Sequence, residues 1–205
     1  MMIARILSPV LTLGPGRRTA VWVCGCGRKC PNCANPELWE YDRSKDIPVG
    51  DAMKLIRAAV AQGGTGGFTI TGGEPFDQPE DLAELVWALR ALSEDILIYT
   101  GYTLAELKEK RDGAVERALS GAAALIDGPY IDERNNSAPM RGSDNQTVHI
   151  LNWGFESLYK TELGNWENRI QNFPVQGGVI SVGIHKKGFR RALRAGLAGY
   201  RLEEN

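Results

Sequence analysis

Short β-rich apolar runs alternate with segments of helical periodicity, and this restricts the fold more than any other feature. Thr19–Val23 (TAVWV) is a β-rich run. From Val49 to Gln62, Met53, Ile56, Ala59 and Val60 recur at helical spacing, and the pattern stops at Gly63. Phe68–Thr71 reads as a buried strand. Asp77 reads as the N-cap of the next helix, with Pro79 in the first turn and Glu80 three residues after the cap. That helix carries the stripe Leu82, Leu85, Val86, Leu89 and Leu92. Ile96–Tyr99 predicts a strand, and Thr103-x-x-Glu106 is a capping-box pattern opening a helix. Ala122–Ile126 and Val148–Leu151 predict further strands. Val179–Ile184 predicts a late buried strand, and Phe189–Leu197 a helix with the stripe Phe189, Leu193 and Leu197.

Strands alternating with helices imply βα units on a parallel sheet. A chain of 205 residues holds five or six such units, fewer than a closed eightfold barrel. The expected class is α/β: a partial, open βα barrel of five to six parallel strands, with a doubly wound sheet as the alternative. A single domain over 1–205 is expected, with a motif-bearing core at 1–151 and a C-terminal extension at 152–205 packed on it. In either architecture ligands collect at the C-terminal ends of the strands. The unusual residues recur there. A cysteine loop follows the first strand, Gly72-Gly73-Glu74-Pro75 the second, Thr100-Gly101-Tyr102 the third and Asp127-Gly128-Pro129-Tyr130 the fourth.

Lys and Arg total 24 against 25 Asp and Glu, a net charge of −1. That balance argues against nucleic acid or an anionic membrane as partner. No stretch approaches the roughly 18 apolar residues of a membrane span. Met1–Leu13 carries one charge, Arg5, is broken by Pro9 and shows no small-residue cleavage site, so it is not read as a signal peptide. The expected location is the cytoplasm.

All four cysteines, Cys24, Cys26, Cys30 and Cys33, fall within ten residues. Disulfides staple distant segments, so a cluster this tight reads as a metal or redox site. Cys26-x3-Cys30-x2-Cys33 offers three thiolates, enough for three corners of a [4Fe–4S] cubane and leaving the fourth iron open. Gly25 and Gly27 free the backbone around such a cluster, and Arg28 and Lys29 offset its charge. A zinc ion held by all four cysteines and a pair of reactive thiols are the competing readings, although Cys24-x-Cys26 strains a tetrahedral site. Cys24 alone reads as a plain strand-end residue.

Taken in order, Cys26/Cys30/Cys33 and Gly72-Gly73-Glu74-Pro75 resemble the radical S-adenosylmethionine (SAM) superfamily. The similarity extends from Gly14-Pro15-Gly16 through Tyr99-Thr100-Gly101-Tyr102, Asp127-Gly128-Pro129-Tyr130 and Arg141-Gly142-Ser143-x-Asn145-Gln146. It resembles the small glycyl-radical activases of anaerobic ribonucleotide reductase. Cys24 and the extension from Asn152 depart from that family's pattern.

The resemblance implies an enzyme, a radical SAM oxidoreductase. Its cofactors would be a [4Fe–4S] cluster on Cys26, Cys30 and Cys33, also the catalytic centre, and SAM on the open iron. Reductive cleavage would give a 5′-deoxyadenosyl radical that abstracts hydrogen. Gly72 and Gly73 would let backbone approach the methionine moiety, and Glu74, with its neighbour Pro75, would receive the ammonium. Asn32, Thr100 and Asp127 would also lie near SAM, with a monovalent cation as a further reading for Thr100 and Asp127. The implied partners are a glycyl radical enzyme resembling the anaerobic reductase and a low-potential electron donor such as flavodoxin or ferredoxin. Modification of a peptide or small molecule is the alternative.

Other signals are structural on their face. Gly63–Gly67 lacks the Lys-Ser/Thr of a P-loop and reads as a flexible turn. His149 and His185 are isolated. Arg141, Asn145 and Gln146 divide between partner contact and structural support, and Arg190, Arg191 and Arg194 read as a solvated helix face.

Overall fold

The structure is a computed structural model that describes residues 1–176 and 178–197. Strands β1 (Ile3–Val10), β2 (Arg18–Val23), β3 (Gly67–Gly72), β4 (Ile96–Tyr99), β5 (Ala124–Asp127) and β6 (Thr147–Ile150) form one sheet in sequential order. Helices α1 (Val49–Gly63), α2 (Pro79–Leu89), α3 (Leu104–Glu109) and α4 (Gly113–Gly121) fill the crossovers. Only β2 to β5 are parallel; β1 and β6 pair antiparallel at the edges. The expected five to six parallel strands are thus four. A parallel neighbour needs a crossover long enough to carry a packed helix, and neither residues 11–17 nor 128–146 contain an α-helix. Sequential order also excludes a doubly wound sheet, because no crossover reverses direction.

The period of two along each strand divides the core. Val21, Val23, Phe68, Ile70, Ile96, Ile98 and Leu125 face the helices and bury Ala52, Met53 and Ile56 of α1 and Leu82, Leu85, Val86 and Leu89 of α2. Leu92, at the end of the predicted stripe, is 36% exposed beyond the helix. The other face carries Ala20, Trp22, Leu97, Ala124 and Ile126. It is covered by elements that periodicity did not reveal: α5 (Glu156–Asn165), β7 (Ile170–Val175) and residues 130–146.

β7 pairs with β8 (Gly178–Gly183) in a separate two-stranded sheet. The late strand therefore exists but does not extend the main sheet. Only Val182 of it is buried, and Val179 is 60% exposed. The final helix, α6 (Phe189–Leu197), is present; Phe189 is half-buried, Leu193 exposed, and the side chains of Leu197, Arg190 and Arg194 lie outside the described residues.

Two local expectations change. Gln78, not Asp77, precedes α2; Glu74 caps a 3-10 turn over Pro75–Asp77, and the Asp77 carboxylate points elsewhere. The glycine turn is pinned: Arg17 donates to Gly63 O, Gly66 N to Arg17 O, and Thr65 Oγ1 to Gly67 O. The Thr103/Glu106 capping box forms as read.

Beneath β2 to β4, on the face away from the helices, Arg18 is fully buried. Its Nε donates to Thr69 Oγ1 at 2.7 Å, and its terminal nitrogens reach the Asp95 carboxylate at 2.6 and 3.2 Å and the carbonyls of Pro15, Phe68 and Asp95. Tyr159 of α5 donates to Asp95 Oδ1 at 2.7 Å. A charge this deep persists only when every donor has an acceptor. This network ties the segment after β6 to the centre of the sheet.

Candidate functional site

A cleft of about 830 Å3 opens at the C-terminal ends of β2 to β5. Cys26, Cys30, Cys33 and Asn32 line it from the loop after β2; Gly72, Gly73 and Glu74 line it from β3; Tyr99, Thr100 and Gly101 line it from β4. Gly128 and Tyr130 follow β5, and Ser181–Phe189 and Arg191 close the far side. Parallel strands whose connections all leave from one edge place these loops together.

The cysteine loop is held by backbone on three sides. Gly25 N donates to Leu38 O and Cys26 N to Trp39 O, both at 2.9 Å, while Glu74 N donates to Gly25 O at 2.8 Å. Lys29 (φ 43°) and Asn32 (φ 57°) adopt left-handed backbone that curls the loop. Asp77 pins it from outside, accepting from Gly27 N at 3.2 Å, Tyr41 Oη at 2.6 Å and Tyr102 Oη at 2.8 Å. Tyr102 in turn lies against Arg28 and Lys110, at 4.2 and 3.8 Å from its ring centroid. Asp77 is thus a loop anchor, a role no local pattern announces.

The two glycines of Gly72-Gly73 are required by the protein itself. Gly72 sits at φ +114°, and a Cβ there would lie 2.6 Å from Val23 N; a Cβ on Gly73 would lie 3.0 Å from Leu38 O and strike the Gly25 carbonyl. Their absent side chains let β3 pass directly under the cysteine loop.

Glu74 is 1% exposed. Its Oε1 accepts from Phe76 N (3.0 Å) and Thr100 Oγ1 (2.7 Å), and Oε2 from Gly101 N (2.7 Å). Burial pushes its pKa up to about 7, against the pull of these donors in the other direction. No cation pairs with it among the described residues. Asn32 Nδ2 donates to Asp132 Oδ2 across the mouth at 3.1 Å.

Asp127 and Pro75 do not line the cleft. Asp127 accepts from Leu104 N at 2.6 Å and Thr147 N at 3.2 Å and lies 2.9 Å from His149 Nε2, so it joins the start of α3 to β6. Pro75 opens the 3-10 turn. Gln146 Oε1 accepts from Gly142 N and Ser143 N while its amide donates to Gly128 O. Arg141 donates to Gln146 O and Asn145 to Pro129 O, so all three shape the 128–146 loop. Tyr99 and Tyr130 belong to motifs already read at this edge, whereas Asp132 and the Ser181–Phe189 wall were missed by sequence reasoning, because their place in the cleft depends on packing between distant segments.

The donor set suits thiolate-bound iron. Cys26 is buried while Cys30 and Cys33 are half-buried. Cys33 Sγ accepts from Asn35 N at 3.4 Å, and the N–H groups of Lys29 and Arg28 point at Cys26, whose thiol burial pushes up. Sulfur ligands supported by backbone N–H groups match iron–sulfur ligation. Among the described residues no three His, Cys, Asp or Glu side chains converge on one point as a single ion requires. Cys24 points away, 1% exposed, with Sγ 3.8 Å from Met2 O.

A family model described as "4Fe-4S single cluster domain" matches residues 12–149, from before β2 into β6 and through the whole cysteine loop. The class is thus an iron–sulfur one. The "Anaerobic ribonucleoside-triphosphate reductase-activating protein" of Escherichia coli (strain K12) is 31% identical over 144 residues, 67% of this chain and 91% of that protein. The protein of the same name from Enterobacteria phage T4 is 31% identical over 139 residues, 66% and 85% of the two chains. The "Pyruvate formate-lyase-activating enzyme" of Clostridium pasteurianum is 37% identical over 75 residues, 36% of this chain and 32% of that one. The chain belongs to this 4Fe–4S single cluster domain family, among its radical SAM activating enzymes, and is an oxidoreductase of the glycyl-radical-activating type. Among the described residues no helix is long and apolar enough to cross a membrane.

Proposed function

We propose that the protein installs a glycyl radical on a partner resembling an anaerobic ribonucleotide reductase, with Cys26, Cys30 and Cys33 holding a [4Fe–4S] cluster beside SAM. When bound, these groups supply a 5′-deoxyadenosyl radical, the species that abstracts hydrogen. The observation that carries the reading is one cleft shared by three thiols of a single loop and the buried Glu74 carboxylate. A buried carboxylate with no ion-pair partner among the described residues is matched by an ammonium, and Glu74 retains one acceptor direction beyond its three donors. Thr100 and Gly101 orient that carboxylate, and Gly72 and Gly73 bring strand backbone to the cleft wall. Asn32, held by Asp132, lies between two cysteines where backbone can meet an adenine. Asp127 and Pro75 support these loops from behind. In this reading four parallel strands form a partial barrel, residues 1–205 act as one domain, and a flavodoxin- or ferredoxin-like donor reduces the cluster in the cytoplasm.

The wall from Ser181 to Phe189 adds extended backbone to the cleft lining, which favours modification of a peptide as the second reading. Both are tested by anaerobic reconstitution. About four irons per chain and a broad absorption near roughly 400 nm are expected. Ala at Cys26, Cys30 or Cys33 removes them, whereas Cys24→Ala keeps them. Reduced protein with SAM then yields a glycyl radical signal on the reductase-like partner. One zinc and no iron would sink the cofactor reading, and SAM cleavage coupled only to a modified peptide or metabolite would sink the activase reading.

A further inference from the structure

We propose that Lys186, Lys187 and Arg191, on the extension after β8, dock an acidic segment of the polypeptide on which the cleft acts. This rests on the reading above that the substrate is a protein. Five cations line the cleft, and their partners divide them into two groups. Arg5 pairs with Glu37 and Arg28 with Glu106, each at 2.8 Å. Lys186, Lys187 and Arg191 are exposed and form no ion pair among the described residues. The sequence from Lys186 to Arg194 holds five cations and no acid, in a chain whose net charge is −1. With no acid inside that stretch and no ion pair among the described residues, the lip is complementary to clustered carboxylates.

The lip is held in place. Thr12 Oγ1 donates to Val182 O at 3.1 Å; Gln171 accepts from Leu11 N and donates to Pro9 O; Asn135 Nδ2 donates to His185 O at 2.9 Å. His185 stacks on Phe189 with centroids 4.2 Å apart, fixing the turn that presents both lysines. Between lip and cysteine loop the wall is extended backbone, Ser181 to Gly183 of β8, in a sheet of only two strands. An extended polypeptide has the shape to lie along it, its carboxylates reaching the lip. These residues fall beyond the 12–149 family match, so the docking surface is an addition to the family's core.

The test uses the full, anaerobically reconstituted chain and fluorescence anisotropy. The probes are fluorescein-labelled decapeptides of alternating Glu and Gly or of alternating Lys and Gly. The Glu peptide should bind in preference to the Lys peptide and weaken steeply as salt shortens the screening length. K186E/K187E/R191E should weaken it on the order of 10- to 100-fold at low salt and reverse the preference, with K186Q/K187Q/R191Q between. Equal affinity for both peptides, or a charge-reversed variant that binds the Glu peptide like wild type, overturns the proposal. Displacement of the Glu peptide by ATP at far lower concentration than by free Glu peptide assigns the lip to phosphate and also overturns it. Peptide binding is read independently of iron content and SAM cleavage, so failure here leaves the cofactor reading standing, and the reverse holds.

Discussion

Glu74 gives the sharpest quantitative handle on the cleft. Burial raises its folded pKa to about 7 from an ordinary 4.5. A raised carboxylate favours the folded state when protonated. Its stabilising contribution is complete below pH 4.5 and lost as pH rises through 7. The full gap corresponds to about 3 kcal/mol at 1.36 kcal/mol per pH unit, and about 2.5 kcal/mol of it falls between pH 5 and pH 8. Glu74→Gln cannot titrate. It also sets an amide against donors from Phe76, Thr100 or Gly101, a fixed penalty of about 1–3 kcal/mol. The difference between the two pH profiles isolates the titration from that fixed penalty. In the metal-free, thiol-reduced protein, wild type should lose about 2.5 kcal/mol relative to E74Q between pH 5 and pH 8, or about 6 °C in Tm for a chain of this length. Urea or thermal unfolding at each pH reads it directly. Parallel profiles for the two proteins would show that water or a cation already compensates Glu74, and the ammonium argument would fail with it.

Further outcomes follow from named contacts. Tyr159→Phe removes a buried hydrogen bond to the Asp95 carboxylate and should cost about 1.5–3 kcal/mol in urea unfolding; an unchanged midpoint would mean that α5 docks without it. Asp77→Ala should leave global stability within about 3 kcal/mol but slow cluster assembly, since Gly27, Tyr41 and Tyr102 lose their shared acceptor. Iron uptake at the wild-type rate would refute the anchoring role. Gly73→Ala, forced against Gly25 and Leu38 backbone, should destabilise by more than about 1 kcal/mol and lower iron content; normal loading would show that the cysteine loop yields. A 1–152 truncation, which deletes Tyr159 and uncovers the Trp22 and Leu97 face, should aggregate in size-exclusion chromatography, and a monomeric product would contradict that packing.

The residues of the candidate site were legible because they are local. Three thiols in eight residues and Gly72-Gly73-Glu74-Pro75 are contiguous, and their strands announce themselves through β-rich runs short enough to need no partner to recognise. The capping box at Thr103 and Glu106 was readable for the same reason, since both groups bond within one turn. Asp77 shows the limit: by spacing it is a helix cap, yet three donors from Gly27, Tyr41 and Tyr102 outcompete that use, and all three lie more than twenty positions away. The resemblance implies a place near SAM for Asp127, whose carboxylate accepts from the backbone N–H groups of Leu104 and Thr147, contacts that no local pattern announces.

Local pattern thus carries the three-thiol loop, the βα alternation and the edge at which they meet. That two outer strands run antiparallel, that Val179–Ile184 lies in a separate hairpin and that Ser181–Phe189 walls the cleft emerges only when distant segments pack. The difference is one of range. Periodicity and spacing report which face of one element is apolar, whereas strand direction and cover depend on crossover lengths and on pairs such as Thr12 with Val182 or Tyr159 with Asp95, whose separation leaves no local pattern.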